Sequence, residues 1–166
     1  MASRLKYLAS DALLSVDVRY RYRLTRHLSM GERVILFVGL NPSTADANQD
    51  DPTIRRCARF ALREGFDWLY IGNLYAYRST RAKVLRMMDD LEAVGPDNKK
   101  HLQWLTQKAD IVVAAWGDHS LCGYAHMLAD WILNLPNCRV LGQNRDGSPK
   151  HPLYVRSGAE LQDPLQ

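Results

Sequence analysis

The sequence predicts an α/β fold: a three-layer α/β/α domain around a central, mostly parallel four-stranded sheet, with an N-terminal edge strand or ribbon. Three observations predict it. Short apolar runs without alternation, at 34–38, 68–73, 111–117 and 139–142, read as strands covered on both faces. Stretches with helical signals separate them, so consecutive parallel strands are joined by right-handed crossovers. Each strand run ends in a glycine- or proline-shaped turn carrying polar side chains, where open parallel sheets hold their ligands.

The elements follow in chain order. Residues 16–24, VDVRYRYRL, alternate with period two, placing Val, Val, Tyr, Tyr and Leu on one face and mostly Arg on the other, as in a half-buried edge strand. The run VILFV at 34–38 ends at Gly39 and reads as a central strand. Asp51 is an N-cap, Pro52 suits the first helical position, and Gly65 is a C-terminal stop. That helix turns Ile54, Cys57, Phe60 and Ala61 inward and Arg56, Arg59 and Arg63 outward. WLYIGN at 68–73 is the second strand, and a helix over 96–108 directs Leu102 and Leu105 inward. IVVAAWG at 111–117 is the third strand, a helix spans 124–133, and RVLG at 139–142 is a shorter fourth strand.

Composition bounds the function. The 166 residues are 46% apolar, enough for one globular domain spanning 1–166, and a monomer is expected. No apolar run approaches the ~18 residues of a membrane span. Asp11 and Asp17 interrupt the first twenty residues, so no signal-peptide core is expected. Cys57, Cys122 and Cys138 form no C-x-x-C pair, which suggests reduced thiols in a cytoplasm rather than disulfides or a metal site. The net charge of +4 is uneven: Arg19, Arg21, Arg23, Arg26 and Arg33 face the single acid Glu32, and Arg55, Arg56, Arg59 and Arg63 precede Glu64. Two such clusters fit a polyanion partner or a solvated basic surface. Phosphate-loop, dinucleotide-fold, zinc-protease and zinc-deaminase signatures are missing, and three cysteines are too few for an iron–sulfur cluster, so no cofactor is expected.

The strand ends carry the chemistry. They read Gly39-Leu40-Asn41-Pro42-Ser43-Thr44-Ala45-Asp46, then Gly72-Asn73-Leu74-Tyr75-Ala76-Tyr77-Arg78, then Trp116-Gly117-Asp118-His119, and finally Lys150-His151-Pro152-Leu153-Tyr154. An Asn side chain offers an acceptor and a donor, so Asn41 can orient a water and Asn73 can read a base edge. His151 can donate to charge developing on a leaving group. Plainer roles stay open: Asn41 can cap the turn before Pro42, Asn73 can satisfy a strand end, and His151 can be a surface turn residue. Asp46 and Asp118 suit N-caps, and Tyr75 and Tyr77 can pack a loop as readily as stack on a base.

These residues carry a resemblance. Gly39-Leu40-Asn41-Pro42 resembles the first motif of the uracil-DNA glycosylase superfamily, in the G-[IM]-N-P-G form of its mismatch-specific and single-strand-selective branches. Tyr70-Ile71-Gly72-Asn73 resembles the strand whose terminal Asn reads the extruded pyrimidine, and residues 112–117 are similar to the strand preceding the second motif. His151-Pro152-Leu153-Tyr154 resembles that second motif, usually H-P-S-x. The combination of GLNPSTAD, DDPTIRR and HPLY also resembles a bacterial and phage family of unknown function.

The resemblance implies a monofunctional DNA glycosylase that flips out a base, hydrolyses its N-glycosidic bond and leaves an abasic site. It implies that Asn41, or failing it Asp46, positions the water, that Asn73 hydrogen-bonds the base, and that His151 stabilises the departing base. Asn in place of the Asp of the most active uracil enzymes implies a slower enzyme. Leu40, Ser43, Thr44 and Tyr75 are expected around the base, and Leu153 and Tyr154 as a wedge in the stack. Arg55, Arg56, Arg59, Arg78 and Lys150 are expected on DNA phosphates. Uracil-specific members carry a Tyr soon after the first-motif Pro; here Ser43, Thr44 and Ala45 leave room and hydroxyls for a bulky, even glycosylated, 5-substituent. Such bases occur in phage DNA, which implies a role in host defence. Two other functions stay open: a hydrolase of free nucleosides or nucleotides, and a non-catalytic nucleic-acid-binding module of the same fold.

Overall fold

The chain runs β1 (Ala9–Leu14), β2 (Arg21–His27), β3 (Val34–Gly39), α1 (Pro52–Arg63), β4 (Trp68–Asn73), α2 (Ala82–Leu85), α3 (Asp90–Val94), α4 (Asn98–Lys108), β5 (Ile111–Ala114), α5 (Gly123–Leu133) and β6 (Cys138–Val140), then a 3-10 turn at Pro152–Tyr154. The computed structural model describes residues 5–117 and 120–165, so Asp118 and His119 lie outside the described residues.

One six-stranded sheet has the order β1-β2-β4-β3-β5-β6. The four strands from β4 to β6 are mutually parallel, while β1 and β2 form an antiparallel hairpin whose second strand pairs antiparallel with β4. Helices cover both faces. Ile35, Phe37, Val113 and Ala115 pack in one cluster with Ile54, Cys57 and Ala61 of α1. Leu36, Val38, Val112 and Ala114 pack in the other with Leu102 and Leu105 of α4 and Leu128 and Ile132 of α5. Successive residues of β3 and β5 therefore meet different helices, which is why neither strand alternates in polarity.

Local chemistry sets the helix bounds. The Asp51 carboxylate accepts a hydrogen bond from Ile54 N at 2.9 Å, Pro52 occupies the first turn, and Gly65, at φ +73°, ends α1. The second predicted helix begins at Asn98 rather than 96, and β5 leaves its ladder at Ala114, three residues short of the predicted end. β6 covers 138–140 instead of 139–142. Strand β1 and the short helices α2 and α3 were not foreseen, because none carries a long periodic pattern.

The predicted edge strand over 16–24 is corrected. Residues 15–19 form the β1–β2 turn, with Val18 at φ +61° and Val16 fully exposed. The strand starts at Arg21 and is paired on both sides, so β1 is the edge. Leu13 pairs with Arg23 and Leu14 with Arg21, leaving Tyr22 as the extra residue of a β-bulge. The bulge reverses side-chain parity. Tyr20 and Tyr22 stack above one face, whereas Arg21 and Arg26 both reach the 45–50 loop on the other. A regular strand would put those arginines on opposite faces. Both are buried, at 3% and 1% exposure, so this arginine row is not a solvent face.

Candidate active site

Strands β3 and β4 are parallel neighbours with Gly39 opposite Asn73, so both carboxyl ends open at one place. A cavity of about 180 Å³ lies there, lined by Leu40, Asn41 and Ser43 from the loop after β3, by Asn73, and by His151 and Pro152 from the 3-10 turn. Its floor is apolar, formed by Phe37, Ile71 and Ala115 of the sheet region and by Ile54 and Cys57 of α1. Pockets for drug-sized ligands are typically ~300–1,000 Å³. This cavity suits a single heterocycle.

Each polar group is oriented by its neighbours. Asn41 Nδ2 donates to Pro42 O at 3.0 Å and to Ser79 O at 2.8 Å, tying two loops together and leaving Oδ1 as the group open to other partners. Asn73 is buried, and its Oδ1 accepts from Arg21 Nη2 at 3.3 Å. A Cβ on Gly39 would come within 2.9 Å of Asn73 Nδ2, so the glycine makes room for this amide. His151 Nδ1 accepts from Leu153 N at 3.2 Å, which puts the proton of the neutral ring on Nε2. Burial holds the His151 pKa below the usual histidine value, against the opposing charge of Asp51. The ring is therefore a neutral donor. Gly117, at φ +68°, lets the turn approach; a side chain there would meet His151 Cβ at 2.8 Å.

Other predicted residues lie elsewhere. Asp46 does not line the cavity; its carboxylate accepts from Asn48 N at 2.8 Å and Gln49 N at 2.9 Å, and these bonds hold its pKa down. Thr44 is exposed outside the cavity, and Tyr75 is buried in the core on the α4 face of the sheet. Lys150 lines a separate groove beside Gly142. Leu153 and Tyr154 are exposed, Tyr154 at 83%, with the tyrosine ring 5.6 Å from that of His151.

The arginines divide. Arg59 is exposed and makes no side-chain hydrogen bond or ion pair among the described residues; Arg55, also exposed, donates to Asp50 O at 2.9 Å. Arg78 donates to Val18 O at 3.2 Å. Arg56 is not on the outer side as expected. Its Nε donates to Pro152 O at 3.3 Å and its Nη2 to Val155 O at 2.5 Å, clamping the His151 turn to α1. Arg63 likewise donates to the carbonyls of Ser157 and Ala159.

The sequence reading missed three cavity residues with usable chemistry. Asp51 was read only as a helix cap, although the residue also lines the cavity. Arg21 was counted with a surface row, and Thr53 was not singled out. The first two were visible as residue types; only the bulge and the packing of α1 place them here.

Comparison with curated proteins and with solved structures gives no match. Residues 21–153 match a family model described as "Protein of unknown function (DUF1643)", and this span includes every strand end that lines the cavity. The chain belongs to the DUF1643 family.

Proposed function

We propose that the protein is a monofunctional DNA glycosylase with a uracil-DNA-glycosylase-like fold, which releases a modified pyrimidine and leaves an abasic site. The observation that carries this reading is the convergence of Asn41, Asn73 and His151, from three separate chain segments, on one heterocycle-sized cavity. A base reaches such a cavity only after leaving the helix stack. Asn73 Nδ2 hydrogen-bonds the base edge, Asn41 Oδ1 orients the water, and neutral His151 donates from Nε2 to the base carbonyl as negative charge develops. Asp51, which lines the cavity where Asp46 does not, supports the sugar cation. Ser43 lines the wall where the superfamily's uracil enzymes carry Tyr, which favours a 5-substituted base; a glycosylated substituent would have to project out of a 180 Å³ cavity. Excision of such bases from phage DNA makes the protein a cytoplasmic, monomeric defence factor with DNA as its partner. The test is incubation with genomic DNAs of different natural modification, followed by mass spectrometry of released bases. Release of none from any DNA refutes the proposal.

A second reading, hydrolysis of free nucleosides or nucleotides, is favoured by one observation. Arg21, Arg26, Arg56 and Arg63 are buried or bonded to the protein's own carbonyls, which thins the arginine surface available to phosphates. Salt-insensitive activity on nucleosides supports it; a steep salt dependence supports DNA.

A further inference from the structure

Two arginines of β2 are almost equally buried and differently treated. Arg26 meets Asp50 Oδ1 at 2.9 Å, a buried ion pair. Arg21 has no carboxylate within ion-pairing distance among the described residues. Its two acceptors are neutral: Ala45 O at 2.9 Å and Asn73 Oδ1 at 3.3 Å. Asp51 and Asp46 act on it only at longer range, and one Asp51 oxygen is already engaged by Ile54 N. Burial lowers the Arg21 pKa to about 10, which leaves it charged at neutral pH. A buried charge is costly unless a counter-charge meets it. Arg21 lines the cavity, and three of its five N–H groups have no protein acceptor among the described residues.

The reaction proposed above creates the missing counter-charge. Water oxygen bonds to C1′, the C1′–N1 bond breaks, and both bonding electrons leave with the base. The water's surplus proton passes to solvent, and the base recovers one from solvent afterwards. Between these events the base is an anion, with charge shared by N1, O2 and O4 while N3 keeps its hydrogen.

We propose that Arg21 is the receptor for this anionic leaving base, facing one of its charge-bearing carbonyl oxygens while His151 faces the other. The inference rests on the glycosylase reading and deepens it. The orientation of Asn73 gives separate support. Because Arg21 donates to Oδ1, the amide directs Nδ2 past Gly39 and offers a donor. N3–H is present on the bound base and on the departing anion alike, but O2 and O4 carry far more negative charge on the anion, so the donors of Arg21 and Nδ2 favour the anion. The guanidinium therefore acts most strongly on charge that exists as the bond breaks, which is how a fixed charge raises kcat.

The experiment uses the intact protein and two ring-sized probes, uracil and barbiturate, a uracil analogue that is anionic at neutral pH. Calorimetry is expected to show barbiturate binding at least ~10-fold more tightly than uracil, a preference that Arg21→Gln removes and Arg21→Lys partly restores. On substrate DNA, Arg21→Gln is expected to lower kcat by about 10²–10³ with little change in KM. Equal binding of the two probes by the unaltered protein overturns the inference without any variant having to fold. A parallel loss of both probes in Arg21→Gln also overturns it, since that reports a purely structural arginine. If neither probe binds and no DNA releases a base, the glycosylase reading itself fails and takes the inference with it.

Discussion

Replacing Arg56 by Met separates two roles that a basic residue on α1 can have. The structure commits Arg56 to Pro152 O at 3.3 Å and Val155 O at 2.5 Å, on either side of the turn that begins at His151. Methionine keeps most of the apolar stem and removes both donors. A hydrogen bond from a charged group is worth ~1.5–3 kcal/mol, and the longer of the two counts toward the lower half of that range, so the loss is about 3–5 kcal/mol. For a domain of 150–250 residues each kcal/mol moves Tm by ~2–4 °C, which gives a fall of roughly 6–20 °C. Thermal unfolding reads this directly. Salt titration of DNA binding reads the alternative, because each phosphate contact contributes ~0.9 to the slope of log K against log salt. A clamp lowers Tm and slows base release while leaving the slope unchanged. An unshifted Tm with a slope shallower by about one unit refutes the clamp and makes Arg56 a phosphate ligand.

Three further outcomes are expected. Gly72→Ala would bring a methyl to 2.8 Å from Leu102 Cδ2 and 3.0 Å from Leu105 Cδ1, both fully buried, and is expected to cost ~1–3 kcal/mol in urea unfolding with the m-value unchanged; an unaltered midpoint would contradict the tight seat of α4 on β4. Gly39→Ala would place a methyl 2.9 Å from Asn73 Nδ2 and displace the amide, lowering base binding or release by ~10²-fold with the circular dichroism unchanged, so retained activity would remove Asn73 from the site. His151 has a folded-state pKa below the ordinary value of ~6.5, so between the two the unfolded chain binds more protons; its stabilising contribution is full above about pH 6.5 and is lost as pH falls through the folded value. His101 is shifted the same way by burial, so the quantity to measure is the difference in Tm between the unaltered protein and His151→Gln over pH 5–8, which should narrow in acid; a constant difference would argue against a half-buried neutral ring.

The sequence by itself determined the central strands, the three long helices and the cap of α1. Each depends on neighbours in the chain: an unbroken apolar run, an Asp-Pro pair, a glycine stop. It also determined which residues stand at the strand ends, and Asn41, Ser43, Asn73 and His151 were legible as candidates on that basis. What only the tertiary structure decided is which arginines face inward and which carboxylate reaches the cavity. A single extra residue at Tyr22 reverses the parity of β2 and sends Arg21 to Asn73, and a bulge leaves no mark in a period-two pattern. Arg56 and Arg63 read as a solvated helix face until the chain returns about a hundred residues later with bare carbonyls for them to satisfy. Asp46 and Asp51 are equivalent in composition; one closes a turn on itself and the other caps a helix beside the cavity, because the packing of α1 on the sheet sets where that helix begins in space. Long-range hydrogen bonding and register are properties of the folded chain, and neither can be read from residues near one another in sequence.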